Sequence, residues 1–391
     1  MTPMSPPRAD WSYPTAVRFG TGRVAELPDA CRAAGMTRPL LVTDPGVAAL
    51  PMTAAALDAL EQGGLGAALF SDVKVNPTDA NVAAGLERMR EGGHDGVIAF
   101  GGGSALDAGK VIAFMHGQRR PIWDFEDVGD WWTRADPDGI RPIVAVPTTA
   151  GTGSELGRAG VITNETEHVK KIIFHPKMMP AVVIMDPELT VGLPPSMTAG
   201  TGFDAFVHCL EAYCAPAFHP MSAGIALEGM RLVKTYLPRA VADGGDIEAR
   251  AQMLAAAGMG AVAFQKGLGG IHALSHPIGA LYDTHHGLTN AMFTPYVLRA
   301  NREAIEEKIV ALARWLDIDE GFDGFMRHVL DVRREFAIPE TLPALGVDEP
   351  DIPRVAAMAV EDPSAGGNPL PLTIAGCERL LEAALEGRLN G

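Results

Sequence analysis

The chain has 391 residues, of which 47% are hydrophobic and 20% are charged, a composition that excludes a disordered or fibrous protein. Its 48 acidic and 32 basic residues give a formal net charge of −16, so we expect no binding of nucleic acid or of an anionic membrane surface by bulk charge. At about 100–200 residues per domain, this length predicts two domains.

The amino terminus and the cysteines favour a protein of the reducing cytoplasm. The first 14 residues contain no apolar stretch typical of a signal peptide, and no run of about 18 apolar residues follows. The four cysteines form no CxxC pair: Cys31, Cys209, Cys214 and Cys377. We therefore expect free thiols, a cytoplasmic location and no membrane partner.

In chain order, short β-type runs alternate with helical patterns up to residue 185. The predicted strands are residues 38–43, 67–70, 96–100, 140–146 and 181–185, and the predicted helices are residues 53–62, 79–91 and 105–115. This alternation predicts βαβ units and a parallel sheet that is covered on both faces.

After residue 190 the pattern becomes helical. The predicted helices are residues 197–215, 223–236, 246–264, 301–315, 321–336 and 351–360. A turn-forming Gly-Leu-Pro-Pro segment at residues 192–195 separates the two patterns. We therefore predict an α/β Rossmann-like domain with a parallel sheet, followed by an all-α domain.

A glycine-rich turn at residues 101–104 follows the buried strand 96–100 and opens the next helix. This geometry lets backbone N–H groups approach a pyrophosphate at a helix N-terminus. The stricter motifs fail, because G-x-G-x-x-G would need glycine in place of Leu106, and a P-loop would need Ser or Thr in place of Val111. The turn favours a phosphate site over a tight structural turn.

Two other strand ends carry polar residues. Asp44 ends the first predicted strand, where a carboxylate can bind a ribose hydroxyl, but the usual fingerprint places this acid after the glycine turn. A ribose contact and a plain Asp-Pro turn are therefore equally consistent with the pattern. Residues 147–155, Pro-Thr-Thr-Ala-Gly-Thr-Gly-Ser-Glu, follow another strand, and their hydroxyl groups and glycines favour a binding loop.

Histidines cluster in the second half of the chain. Four of the eleven lie between residues 272 and 286: His272, His276, His285 and His286. Asp204 and His208 stand four residues apart in a predicted helix, so both project from one face. A carboxylate with several imidazoles suits Fe(II), Zn or Mn. A helical ion pair with turn-capping histidines is the alternative, and the clustering favours a metal.

Taken together, these motifs resemble the iron-containing (group III) alcohol dehydrogenase family across residues 12–390. The segments that carry the resemblance are residues 101–110, 147–155, 186–190, 202–208 and 271–287, in that order. The resemblance implies a dinucleotide-binding domain over residues 1–192 and a metal-binding and substrate domain over residues 193–391.

The resemblance also implies the site residues. The implied metal ligands are Asp204, His208, His272 and His286. His276 resembles the family's histidine near nicotinamide and substrate, although a helix-packing role remains an alternative. The implied NAD contacts are Asp44 at the adenosine ribose, Asn76, Gly102, Gly103 and Ser104 at the pyrophosphate, Thr148, Thr149 and Thr152 on the nicotinamide side, and a lysine, Lys171 in preference to Lys170.

The implied function is hydride transfer between NAD(H) and a primary alcohol, an aldehyde or a hydroxy acid, by a homodimer with Fe(II) or zinc. The alternatives are a polyol dehydrogenase or a dehydroquinate-synthase-like lyase of the same architecture, and a non-catalytic NAD-binding protein, which the intact ligand set disfavours. Arg158 and Lys266 depart from the common family pattern. They are either groups that attract an acidic substrate or surface charges.

Overall fold

The protein is described by a computed structural model that covers residues 9–11 and 15–389. The chain divides into two compact units. Unit 1 consists of residues 1–149 and 153–192, and unit 2 consists of residues 150–152 and 193–391.

Unit 1 is an α/β unit with nine described strands. They are β1 Ala9–Trp11, β2 Ala16–Phe19, β3 Pro39–Val42, β4 Ala68–Phe70, β5 Gly96–Gly101, β6 Ile143–Pro147, β7 Ala159–Asn164, β8 Val169–Phe174 and β9 Val182–Met185. Seven of them form one sheet in the order β1-β2-β9-β6-β5-β3-β4, in which all neighbours are parallel except β1 and β2. Strands β7 and β8 form a separate antiparallel hairpin.

Five described helices accompany this sheet: α1 Leu27–Ala33, α2 Pro45–Ala48, α3 Pro51–Gln62, α4 Asp79–Gly92 and α5 Gly103–Met115. Every residue of β5 is buried, as expected for a continuous apolar strand inside a parallel sheet. Apolar residues of β3 and β5, such as Leu41 and Ile98, pack in one core with Cys31 of α1 and Leu60 of α3. The predicted parallel sheet is thus confirmed.

The sequence patterns did not predict β1, β2 or the β7–β8 hairpin. The strands of the hairpin are only half-buried, β7 contains Gly160, and β8 carries Lys170 and Lys171 near its start. Neither strand therefore shows the continuous apolar run by which the buried strands were predicted. The strand predicted from residue 140 begins at Ile143, just after Pro142, which cannot donate a ladder hydrogen bond.

Unit 2 is helical over its described residues. Its helices are α6 Pro195–Cys214, α7 Pro220–Ala242, α8 Ile247–Ala263, α9 Gly270–Tyr282, α10 His286–Ala300, α11 Arg302–Trp315, α12 Gly321–Glu335, α13 Ile352–Glu361 and α14 Ile374–Glu386. Helices α6, α7 and α8 pack against one another, and α10 packs on α6 and α9. The sequence analysis missed α9 and α10, which contain the internal prolines Pro277 and Pro295, and it missed α14.

The four cysteines are unpaired and buried, as expected. Burial raises the pKa of the Cys31, Cys209 and Cys214 thiols to about 12, so these groups are inert thiols at neutral pH. Among the described residues, no helix has the length and apolar character needed to cross a bilayer.

Candidate active site

Four side chains converge inside unit 2. Asp204 and His208 lie in α6, His272 lies in α9, and His286 is the first residue of α10. One ligand atom of each residue lies within 4.8 Å of the ligand atoms of the other three. Three of the four residues are buried, and His286 is partly exposed. Three helices therefore bring one carboxylate and three imidazoles together, and they are the four ligands that the family resemblance implies.

Glycines let these helices approach closely. A methyl group on Gly287, the second residue of α10, would lie 2.3 Å from the carbonyl oxygen of Gly200 and 3.3 Å from Cβ of Asp204. A methyl group on Gly260 in α8 would lie 3.0 Å from Cβ of His208. A larger residue at either position would force α6 and its neighbour apart, so these glycines set the spacing of the ligands.

His272 is held from behind by a buried glutamate. Its Nδ1 lies 2.6 Å from Oε2 of Glu211, and Oε1 of Glu211 accepts a hydrogen bond from the Ile271 N–H at 2.7 Å. Burial raises the pKa of Glu211 to about 7. Burial, with a smaller contribution from His208, also lowers the pKa of His272 well below its usual value. His272 is therefore neutral near pH 7, which is the form in which imidazole binds a metal ion.

Asn290 lies one helical turn after His286 and is fully buried. Its Nδ2 donates a hydrogen bond to Oδ1 of Asp204 at 2.7 Å. The same nitrogen lies 3.2 Å from Nε2 of His272 and 3.1 Å from Nε2 of His286. The Asn290 amide thus contacts three of the four converging side chains.

These residues fit a divalent metal ion. Oδ1 of Asp204 lies 3.9 Å from Nε2 of His272 and 3.7 Å from Nε2 of His286. These separations are too long for hydrogen bonds and near the roughly 3.4 Å between two ligands that each lie about 2.1 Å from a tetrahedral ion. Nδ1 of His208 is buried and has no hydrogen-bond partner among the described residues. Carboxylate and imidazole are ligands that Fe(II) and Zn share.

His276 stands next to this cluster. Its ring stacks on that of His286, with 5.4 Å between the ring centroids, and its Nδ1 lies 2.8 Å from Oδ2 of Asp362. Burial alone would raise the pKa of Asp362, but the charge of His276 and hydrogen bonds from His276 and Ser364 hold that pKa below its usual range. An ionised carboxylate therefore orients the His276 ring, which favours a polar role over simple helix packing.

The adjacent residues His285 and His286 have different surroundings. Nδ1 of His285 accepts a hydrogen bond from the Leu288 N–H at 3.3 Å, so His285 is the N-cap of α10. The turn-capping role that was weighed for all the clustered histidines thus applies to His285, while His286 faces Asp204.

In unit 1, β5 leads through the glycine turn into α5. Gly101 has φ 146°, a conformation that only glycine adopts readily, and Gly102 precedes the first helical residue, Gly103. A methyl group on Gly102 would lie 3.3 Å from Cγ2 of Thr149. The first N–H groups of α5 have no helical partners, so the turn offers them to an anion.

Other predicted cofactor residues surround this turn. Ser104 donates a hydrogen bond from Oγ to the Val75 carbonyl oxygen, directly before Asn76. The Thr148 N–H donates to the carbonyl oxygen of Gly101 at 3.0 Å. The carboxyl ends of β5 and β6 and the segment after β4 therefore place these residues at one edge of the sheet, where open α/β sheets bind ligands.

Asp44 combines the two roles that the sequence left open. Its Oδ1 accepts a hydrogen bond from the Val47 N–H at 3.0 Å, so the residue is the N-cap of α2. A methyl group on Gly101 would lie 3.6 Å from Oδ2 of Asp44. The carboxylate thus forms a turn and also borders the glycine turn.

Two predicted residues have other surroundings. Lys171 makes ion pairs with Glu167 at 2.8 Å and Glu126 at 3.3 Å, and its Nζ lies 5.7 Å from the Trp123 ring centroid. Burial opposes the charge of Lys171, but the two carboxylates raise its pKa overall. Thr152 belongs to unit 2, whereas Thr148 and Thr149 belong to unit 1.

A buried charge network lies beneath the loop of residues 147–155. Lys110 is 1% exposed, and its Nζ lies 3.2 Å from Oδ1 of Asp107 and donates to the Ser154 carbonyl oxygen at 2.9 Å. Glu155 is also 1% exposed, and its Oε1 has no hydrogen-bond partner among the described residues. Burial raises the pKa of Glu155 to about 7. The network ties the loop to α5.

The two basic residues that depart from the family pattern have structural partners. Lys266 donates from Nζ to the Tyr213 carbonyl oxygen at 2.9 Å, in the last turn of α6. Cations stabilise helix C-termini, so this contact gives Lys266 a structural role in unit 2. The guanidinium of Arg158 lies 5.7 Å from the centroid of the Phe174 ring.

Sequence reasoning missed Glu211, Asn290 and Asp362. Helical spacing contains a signal for two of them, since Glu211 follows Asp204 by seven residues and Asn290 follows His286 by four, which places each pair on one helix face. Asp362 lies 86 residues after His276, and spacing carries no signal for that contact.

Comparison with known proteins identifies the family. One family model, described as iron-containing alcohol dehydrogenase, matches residues 14–187, and a second, described as the C-terminal part of the Fe-containing alcohol dehydrogenase family, matches residues 198–385. Together the two models cover most of the chain.

Curated relatives are similar over nearly their whole length. The chain is 38% identical to the 4-hydroxybutyrate dehydrogenase of Cupriavidus necator, with 95% of this chain and 99% of that protein covered. It is 35% identical to the 1,3-propanediol dehydrogenase of Citrobacter freundii, with 92% and 94% covered. It is 33% identical to the NAD-dependent methanol dehydrogenase of Bacillus methanolicus, with 95% and 98% covered.

Solved structures of similar proteins have the same fold. The fold matches a 1,3-propanediol oxidoreductase with a TM-score of 0.89 at 33% identity, covering 94% of this chain and 97% of that one. It matches a sulfoacetaldehyde reductase from Bifidobacterium kashiwanohense in complex with NAD+ with a TM-score of 0.85 at 29% identity, covering 98% and 99%. The expected fold class and the expected cofactors, NAD and iron, are thus confirmed. The chain belongs to the iron-containing alcohol dehydrogenase family and is an oxidoreductase.

Proposed function

We propose that this oxidoreductase interconverts primary alcohols and aldehydes, with Asp204, His208, His272 and His286 holding the metal ion. The observation that carries the proposal is the convergence of four ligand atoms within 4.8 Å in a largely buried cluster. Fe(II) is the expected metal, and zinc suits the same ligands. When bound, the ion supplies Lewis acidity towards the alcohol oxygen, and NAD accepts the hydride.

His276 is proposed to move the proton of the alcohol. Asp362 accepts from Nδ1 at 2.8 Å, which fixes the ring and leaves Nε2 to exchange a proton. The ring stacks on His286, one of the proposed metal ligands, so it stands beside the place where the alcohol oxygen is to be held.

The α/β domain, residues 1–192, is proposed to bind NAD, and residues 193–391 to bind metal and substrate. The proposed contacts are Asp44, Asn76, Gly102, Gly103, Ser104, Thr148, Thr149, Thr152 and Lys171. The glycine turn at the start of α5 supports the pyrophosphate position. Lys171 also makes ion pairs with Glu126 and Glu167, so these carboxylates share its charge with the proposed cofactor contact.

The substrate class is proposed from chemistry that the relatives share. The relatives are named for 4-hydroxybutyrate, 1,3-propanediol and methanol, which differ in charge and length but all carry a hydroxyl on a carbon that bears at least two hydrogens. A primary alcohol is therefore the proposed substrate, and hydroxy acids such as 4-hydroxybutyrate are included. The relatives reported above are dehydrogenases, an oxidoreductase and a reductase, so the lyase alternative gains no support.

A homodimer in the cytoplasm is the proposed state of the protein. Strand β1 is terminal in the sheet order, and an edge strand can pair with a second chain. Four reduced, buried cysteines suit a reducing compartment. Light scattering after size-exclusion chromatography measures the assembly directly.

A substrate screen tests the function. NADH formation is followed with 1-propanol, 1,3-propanediol and 4-hydroxybutyrate, with 2-propanol as the secondary-alcohol control, and with NADP+ in parallel. We expect turnover of primary alcohols that a chelator abolishes and added Fe2+ or Zn2+ restores. Activity that survives complete removal of metal would contradict the metal assignment, and turnover confined to 2-propanol would contradict the substrate class.

A further inference from the structure

We propose that Glu211 and Asn290 are positioning residues that together hold His272 in one tautomer, with the proton on Nδ1 and the lone pair of Nε2 directed into the ligand cluster. This inference rests on the proposed metal site and deepens it. The two residues contact the two ring nitrogens of His272, and both contacts agree with the same tautomer.

Asp204 fixes the orientation of the Asn290 amide. An ionised carboxylate oxygen only accepts hydrogen bonds, so the atom that lies 2.7 Å from Oδ1 of Asp204 is the amide nitrogen. That nitrogen also lies 3.2 Å from Nε2 of His272 and 3.1 Å from Nε2 of His286. An amide NH2 group has two hydrogens and only donates: one is directed to Asp204, the other is shared between the two ring nitrogens, and a ring nitrogen that accepts it presents a lone pair.

Glu211 indicates the same tautomer from the other side of the ring. A neutral imidazole carries its proton on one nitrogen, so a lone pair on Nε2 leaves the proton on Nδ1. Nδ1 lies 2.6 Å from Oε2 of Glu211, which accepts that proton's hydrogen bond. Oε1 of Glu211 accepts from the Ile271 N–H at 2.7 Å. Two acceptor atoms are therefore needed at once, and a carboxylate provides both.

The tautomer matters because a metal ion binds a lone pair. With the proton on Nε2, His272 would direct N–H into the cluster and could not act as a ligand. Glu211 is buried and Asn290 and His272 are almost fully buried, so the two contacts decide the tautomer without competition from open solvent. Outer partners of ligating histidines typically change metal affinity about 10- to 100-fold.

A substitution of Glu211 tests the inference through metal affinity rather than activity. The affinity of the full-length, metal-stripped chain for Co2+ is measured by competition with a chromogenic chelator. We expect Glu211→Gln to weaken Co2+ binding about 10- to 100-fold, because Glu211 is the outer partner of a ligating histidine. A glutamine has one oxygen, so it either loses the Ile271 hydrogen bond or presents NH2 to Nδ1 of His272. Glu155→Gln, a fully buried carboxyl of unit 1, is the matched control and should leave Co2+ affinity unchanged.

A direct measurement covers the case in which a variant fails to fold. Nitrogen-15 NMR of the histidine-labelled, metal-stripped wild-type chain reports which nitrogen of each ring is protonated, and His272→Gln assigns the resonance. We expect His272 to be protonated at Nδ1 and not at Nε2. The reverse pattern overturns the inference, as does a Glu211→Gln protein that folds and binds Co2+ within about twofold of wild type.

Asp204→Ala separates this inference from the proposed function. If Asp204→Ala binds Co2+ as well as wild type does, the metal site itself is wrong. If Asp204→Ala loses Co2+ while Glu211→Gln retains wild-type affinity, the metal site stands and the positioning role is wrong.

Discussion

The two units hold their candidate site residues in opposite ways. In unit 1 the residues lie in turns at strand ends. Gly102 is important because it has no side chain, since a methyl group there would contact Thr149. In unit 2 the residues project from helices, and His272 and His276 are each held by a buried carboxylate. The cofactor half should therefore be sensitive to added atoms, and the metal half to removed ones.

The largest expected effect is the loss of a ligand from unit 2. His272→Ala should lower kcat/KM about a thousandfold, because several kcal/mol of metal-derived stabilisation are lost at about 1.4 kcal/mol per tenfold. Steady-state kinetics with the best primary alcohol measures the loss. NADH affinity, followed by nucleotide fluorescence, should not change, and a parallel loss of NADH binding would contradict the separation between the two halves.

Glu155 in unit 1 is a buried carboxyl, as Glu211 is in unit 2. Both oxygens of Glu211 have hydrogen-bond partners, whereas Oε1 of Glu155 has none among the described residues. The pKa of Glu155 is about 7 against an ordinary 4.5, so between these pH values the folded protein binds more protons than the unfolded chain, and stability falls as pH rises. Because glutamine does not titrate, Glu155→Gln should gain up to about 3 kcal/mol relative to wild type between pH 4.5 and pH 8. Urea unfolding at several pH values measures the difference, and a difference independent of pH would refute the account of this carboxyl.

His276→Ala distinguishes proton transfer from helix packing. General acid–base groups contribute about 100-fold or more, so kcat should fall by at least that factor while the bound metal stays at the wild-type level. Asp362→Asn should give a smaller loss, since it disturbs only the orientation of the ring. If His276→Ala lowers the melting temperature but leaves kcat near wild type, the packing role is right.

Gly102→Ala tests sensitivity to an added atom. The methyl group would lie 3.3 Å from Cγ2 of Thr149, so the glycine turn must move to admit it. Overpacking of this kind costs about 1–3 kcal/mol, and the displaced turn should bind NADH at least about 10-fold more weakly. Metal content should not change. Gly224→Ala is the matched control, because a methyl group there meets no atom within 4 Å.

The smallest effect is expected at Lys171. Its partly exposed ion pairs with Glu126 and Glu167 leave only part of its charge for the cofactor, so Lys171→Ala should raise the KM for NAD+ by only about twofold. Side chains alternate along a strand, so Lys170 projects from the other face of β8. A larger effect of Lys170→Ala would move the proposed cofactor contact to Lys170, and a larger effect of Lys171→Ala would retain the original assignment.

The features that the sequence predicted differ between the two units. Buried strands such as β5 have continuous apolar runs and could be predicted, whereas the half-buried β7 and β8 could not. Helical spacing paired Asp204 with His208, but the close approach of α10 and α8 to α6 depends on packing at Gly200, Gly260 and Gly287 that no local pattern contains. Spacing also could not separate His272 from His276 as a ligand; the family resemblance favoured His272, and Glu211 lies behind it.

Metal stoichiometry tests directly whether Asp204 and the three converging histidines hold a metal ion. Freshly purified wild-type chain and the Asp204→Ala variant are analysed for iron and zinc, and NADH affinity is measured on the same samples. The account predicts close to one metal ion per wild-type chain, loss of that metal in Asp204→Ala, and equal NADH affinity in both. An Asp204→Ala variant that retains wild-type metal content and alcohol oxidation would contradict it.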